Sequence, residues 1–150
     1  MKRLLTMIVF ATIVSGLGGI ATAQVKPEDT IKNRKSSLTL VQSHMRTIAA
    51  MLKGERPMDA ALVAKNAALI ETLAKAFPEG FPPGTDRGDT KARPEIWSQP
   101  DKFRQATNRY QGEATKFTEV AKTGNVDNIT AQFGALAKSC GACHEDFRTK

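Results

Sequence analysis

Cysteine is nearly missing from this sequence: two residues, Cys140 and Cys143, are all there are, and both fall close to its end. That scarcity excludes a disulfide framework and leaves a single local pair to explain. Histidine is as rare, with only His44 and His144, so imidazole alone cannot assemble a metal centre. Sustained apolar–polar alternation is missing, and no strand is predicted. No carboxylate pair, nucleophile with its base, or phosphate loop is evident, so enzymatic turnover is not expected. Charge of one sign is never gathered into a block. The 22 basic residues outnumber the 15 acidic ones but are spread along helical patterns. This argues against nucleic acid and for a solvated surface, with steering of an acidic partner as the one use left for the excess.

Long apolar runs are missing except at the front. MKRLLTMIVFATIVSGLGGIATA opens with Lys2 and Arg3, continues apolar from Leu4, and ends in Ala21-Thr22-Ala23. Residues 1–23 therefore read as a cleaved signal peptide, with a retained anchor as the competing possibility. Residues 24–150 are the expected mature domain, exported and soluble, with a size suited to one hydrophobic core.

What is present is the 3.6-residue period, four times over. The first segment runs from about Pro27 to Leu52, with Pro27 suited to a first turn, acidic Glu28 and Asp29 at the positive end of the dipole, and Gly54 as a stop. Its inward stripe is Ile31, Arg34, Leu38, Val41, Met45, Ile48 and Leu52. The second spans Asp59 to Phe77, with Asp59 as N-cap, Val63, Ala67, Ile70, Ala74 and Phe77 inward, and Leu62, Leu69 and Leu73 widening the face. PEGFPPGTDRGDTKARPEIWSQP then interrupts the period with five prolines and three glycines. It is a long connection that covers something, docked by Ile96 and Trp97. The third segment runs from Asp101 to Lys122, and the fourth from Val126 nearly to the end, with the stripe Val126, Ile129, Phe133, Leu136, Cys140, Cys143, Phe147. The prediction is an all-α fold, an antiparallel up-down four-helix bundle, with other all-α arrangements open.

Both cysteines lie on the inward seam of the last helix, three residues apart and pointing the same way, and His144 follows Cys140 by four. A C-x-x-C-H unit so placed can hold a haem by two thioethers and one imidazole. A redox disulfide and a zinc site remain alternatives, the latter with only His44 to add, and His44 is expected on the surface. No residue after His144 suits a sixth iron ligand. Met45 is the one serious candidate on an inward stripe, although filling a gap in the core is its commoner role. Arg34 breaks an apolar stripe: a haem propionate would satisfy it, or it reaches water from the helix's open end. Leu38, one turn on, would cover the ring without coordinating iron. Lys35 is read as solvated, on the propionate side. Arg148 either complements the helix dipole or bonds something on the histidine side.

These residues carry a resemblance. KPEDTIKNRKSSLTL, KGERPMDAA, GTDRGDTKARPEIWS and CGACHEDFR make the chain resemble cytochrome c′, a class II c-type cytochrome, over essentially all of residues 24–150. The resemblance implies one covalently attached haem c held by Cys140 and Cys143, with His144 as axial ligand. It also implies Leu38 over a vacant distal iron position, Arg34 at a propionate and Arg148 beside the proximal pocket. Lys35 stands where some members carry glutamine. The implied protein is periplasmic, commonly a homodimer, and binds nitric oxide and carbon monoxide. The function expected from these residues is a five-coordinate, high-spin haem protein in which crowding by Leu38 discriminates against ligands needing polar stabilisation, oxygen especially. In it nitric oxide can displace His144 to bind on its side beside Arg148, and the iron exchanges one electron with an unidentified redox partner. A conventional six-coordinate electron carrier is the alternative.

Overall fold

The computed structural model describes residues 25–150; the signal-peptide expectation lies outside the described residues. Four long helices and one short one make up the regular structure there: α1 (Pro27–Leu52), α2 (Ala60–Ala76), α3 (Glu95–Ser98), α4 (Pro100–Lys122) and α5 (Val126–Phe147). A 3-10 turn, Phe77–Gly80, continues α2. The antiparallel four-helix bundle is present, formed by α1, α2, α4 and α5.

Local chemistry sets the helix ends. Pro27 sits in the first turn of α1, where its missing N–H costs nothing. At the other end Gly54 adopts φ +73°, and the amides of Gly54 and Glu55 return to Met51 O and Ala50 O. The Asp59 carboxylate caps α2 by accepting from Leu62 N at 2.9 Å, and Asn125 caps α5 by accepting from Asn128 N at 3.0 Å.

Packing runs from α1 to α2, from α2 to α4 and from α4 to α5. Ile48, Val63, Ile70, Phe117, Ile129 and Leu136 are fully enclosed in the main core, each contributing about 1.5–3 kcal/mol by leaving water. A second cluster, Ile96, Phe103 and Phe147, joins α3, α4 and the end of α5. The docking expected of Ile96 and Trp97 is therefore real. Ile96 is buried, and Trp97 Nε1 donates to Phe81 O at 3.1 Å.

The stripes need correction in places. Met51, absent from the α1 stripe, is buried, whereas Leu38 on that stripe is 38% exposed. Leu69 and Val126 are exposed as well. His44, expected on the surface, is half-buried with its Nδ1 2.7 Å from Asn66 Oδ1 of α2. Asn66 is itself buried in the helix contact and gives His44 a polar partner there.

Candidate functional site

A cavity of about 570 Å³ opens between the outer helices α1 and α5 and is closed at the back by α4 and the long connection. The residues read from the sequence as a haem site all line it: Arg34, Lys35 and Leu38 from α1, and Cys140, Cys143, His144 and Arg148 from the end of α5. Met45 lines it too while packing against the main core. His44 does not.

Arg34 is only 6% exposed, so it does not reach out to water. Its guanidinium is satisfied by the connection. Nη1 donates to Gly80 O at 2.9 Å and Thr85 Oγ1 at 3.2 Å, and Nη2 to Thr85 O at 3.2 Å and Thr90 Oγ1 at 2.8 Å. It also lies over the Phe81 ring, 4.5 Å from the centroid. A Cβ added at Gly80 would stand 3.3 Å from Arg34 Cβ and Cγ, so the arginine stem would have to give by a few tenths of an ångström to admit one. No acidic side chain pairs with Arg34 among the described residues, and burial holds its pKa below the usual arginine value. Lys35 pairs with exposed Asp89 rather than standing free, so this segment is tied to α1 twice.

The other side of the cavity is stitched as well. Arg148 caps α5 in an extended conformation and bridges Ala92: Arg93 N donates to Phe147 O at 3.0 Å and Thr149 N to Lys91 O at 2.9 Å. Lys91 and Arg148 thereby sit together beside the His144 turn, both lining the cavity. Sequence reasoning missed Lys91, Thr85 and Thr90, since nothing periodic in a proline-rich stretch reports what it folds against.

The two cysteines are not joined to each other, and both are half-buried. Burial pushes Cys140 up, and burial reinforced by Cys140 and Asp146 pushes Cys143 up to about 11, so both stay protonated at neutral pH. His144 stands at the cavity edge, where partial desolvation and then the Arg148 charge lower its pKa. The imidazole is thus favoured in its neutral form, the form that ligates a metal. Edge-on aromatics supply the apolar lining, with Phe81 5.0 Å from both Phe77 and Phe103, and Phe103 5.2 Å from Phe147.

The sequence pattern of the family described as Cytochrome C′ matches residues 29–148. Cytochrome c′ of Alcaligenes xylosoxydans xylosoxydans is 41% identical over 125 residues, covering 83% of this chain and 97% of its own. That of Rubrivivax gelatinosus is 38% identical over 126 residues, with 83% and 98% covered. The Rubrivivax gelatinosus crystal structure superposes with a TM-score of 0.79, covering 83% of this chain and 98% of that one. A ferrous variant of the Alcaligenes xylosoxidans protein with bound nitric oxide gives the same TM-score at 38% identity, with 85% and 98% covered.

The chain belongs to the cytochrome c′ family.

Cytochrome c′ proteins carry covalently attached haem c, and haem c is the cofactor here. The residues present fit it. Two thiols one helical turn apart face the same cavity, a neutral imidazole follows the second, and the volume lies within the ~300–1,000 Å³ usual for a cofactor pocket. Among the described residues, no cluster of three or more potential ligands offers a competing metal centre. No described helix is long and apolar enough to cross a membrane.

Proposed function

We propose that this cytochrome c′ is a periplasmic protein with five-coordinate, high-spin haem iron that binds nitric oxide and carbon monoxide, exchanges single electrons and performs no catalytic turnover. Cys140 and Cys143 would hold the cofactor and His144 would ligate the iron. Bound haem supplies a redox-active iron with affinity for diatomic gases. The observation that carries the reading is Leu38: a hydrocarbon side chain on α1, lining the cavity opposite the α5 wall. It offers no lone pair to a metal and no proton to a bound oxygen, so it favours ligands that need neither. Structural relatives from Alcaligenes xylosoxidans with nitric oxide and with carbon monoxide bound support the ligand class.

The four observed bonds of Arg34 hold the connection, so in this reading it serves the propionate side by fixing Thr85 and Thr90 as well, with Lys35 paired to Asp89 at the same edge of the cavity. Arg148 serves the His144 side, and the neighbouring Lys91 adds a second cation there. Pairing into a homodimer through the first two helices is part of the same reading; Leu40 and Leu69 stand exposed on them. The apolar leader ahead of the described residues supports export.

The absorption spectrum of the haem-loaded protein tests the reading, which requires broad high-spin bands. A methionine-to-iron charge-transfer band, lost in Met45→Leu, would establish the six-coordinate carrier instead. Replacing Leu38 by Ala should speed carbon monoxide association at least about tenfold, equivalent to about 1.4 kcal/mol in the barrier. An unchanged rate would remove Leu38 from the mechanism.

A further inference from the structure

Two carboxylates come with haem c, and a carboxylate taken out of water needs a cation or several donors. Four lysine and arginine side chains line the cavity: Arg34, Lys35, Lys91 and Arg148. Their existing commitments differ. A guanidinium has five N–H groups, and a forked approach by a carboxylate uses at least one from an Nη. All four Nη hydrogens of Arg34 are engaged, with Gly80 O, Thr85 Oγ1, Thr85 O and Thr90 Oγ1. Arg34 therefore has one N–H, that of Nε, left to offer, and two carboxylates need more. Lys35 spends its ammonium on Asp89, donating to both its side chain and its carbonyl. Lys91 and Arg148 have no acidic partner among the described residues.

Their places in the cavity separate these two. The propionates leave the macrocycle from the edge opposite the two positions that form thioethers, so a haem hung from Cys140 and Cys143 turns its carboxylates away from those residues. Arg148 caps the helix that carries them, and its charge acts on His144. Lys91 belongs to the connection where that segment crosses between the walls. Thr90, just before it, accepts from Arg34 of α1, and the Lys91 carbonyl accepts from Thr149 N at 2.9 Å. The backbone at 91 is thus held from both sides, while the exposed side chain keeps a free ammonium on a flexible four-carbon stem.

We propose that Lys91 anchors the haem: its ammonium pairs with a propionate carboxylate, and the bridge to the end of α5 fixes the point from which it reaches. Arg34 then acts on the propionate side mainly through the loop it holds, and Lys91 acts directly. This rests on covalent attachment of the cofactor and not on gas binding.

Low-frequency resonance Raman of the haem-loaded protein reads the propionate bending mode, which rises in frequency with hydrogen bonding to the carboxylate. Lys91→Leu should move that band down. It should also lower the midpoint potential, because a nearby cation favours the reduced cofactor. Lys91→Arg should keep both close to wild type. Lys138→Leu removes an exposed cation of α5 outside the cavity and should leave the band in place. A crystal structure of the haem-loaded protein should put Lys91 Nζ within hydrogen-bond distance of a propionate oxygen. A propionate band unchanged in Lys91→Leu overturns the proposal even if the potential falls, since the lysine then acts only as a distant charge. An equal band shift in Lys138→Leu, or a Lys91→Arg protein that behaves like Lys91→Leu, overturns it as well. Spin-state marker bands in the same spectra report the coordination of the iron, so the two readings fail separately.

Discussion

At the scale of single residues, Arg34 shows how an anomaly in a pattern becomes structure. A guanidinium on an apolar stripe has to be bonded, and here backbone and hydroxyl oxygens of the connection do it. Removing it leaves Gly80 O and Thr85 O short of donors and frees the Phe81 face. Arg34→Met should cost about 2–4 kcal/mol of stability, read by denaturant unfolding of the haem-loaded protein. Proteolytic cutting between Phe81 and Ala92 should increase alongside. The anomaly was legible in the sequence, but its partners were not. They lie 46 to 56 residues downstream, in a stretch whose proline and glycine content announces turns without saying what they enclose. Cys140, Cys143 and His144 were legible because helical spacing alone puts them on neighbouring faces.

At the scale of elements, the periodic helices could be read because apolar side chains recur on one face and caps mark the ends. Polar residues misled. Ser139, Thr107 and Thr118 are buried, each bonded to a carbonyl of its own preceding turn, so their polarity carries no signal of exposure. The α2–α4 seam contains a polar device of another sort. Glu71 of α2 accepts from Thr115 of α4 at 3.0 Å and pairs with Lys75 at 2.8 Å. Bonding from Lys75, then from the threonines, holds its pKa below the usual carboxylate value. A carboxylate with a depressed folded pKa stabilises the fold above the unfolded value, about 4.3, and loses that contribution as the pH falls through the folded one. Glu71→Gln should therefore reduce stability near neutrality and flatten the decline below about pH 4.3, as followed by helical circular dichroism. An acid limb unchanged in the variant would place that decline elsewhere, for example at Glu113, which Lys116 and then Gln132 depress in the same way.

At the scale of the whole molecule, enclosed hydrocarbon should outweigh the ion pairs. All nine ion pairs among the described residues have at least one partner more than a third exposed, and such pairs contribute about 0–1 kcal/mol each. Raising sodium chloride from low to high concentration should move the melting temperature little. Ile70→Ala, at a position with no exposure, should cost about 2–5 kcal/mol. The bundle was legible at this scale from four periods and their connections, and so was a site shared by α1 and α5, because Arg34 and Leu38 were read towards the Cys140–His144 end. The lining that Phe77, Phe81 and Lys91 add was not, because periodicity reports which face is apolar and not which loop closes over it. The opening between α1 and α5 has a temporal side. Its facing walls belong to the first and last described helices, and a chain emerging from its amino end carries Arg34 long before it carries Cys140. The pocket thus comes into being only with the final segment, and a product stopped before α5 would lack both the hooks for a cofactor and the wall that retains one.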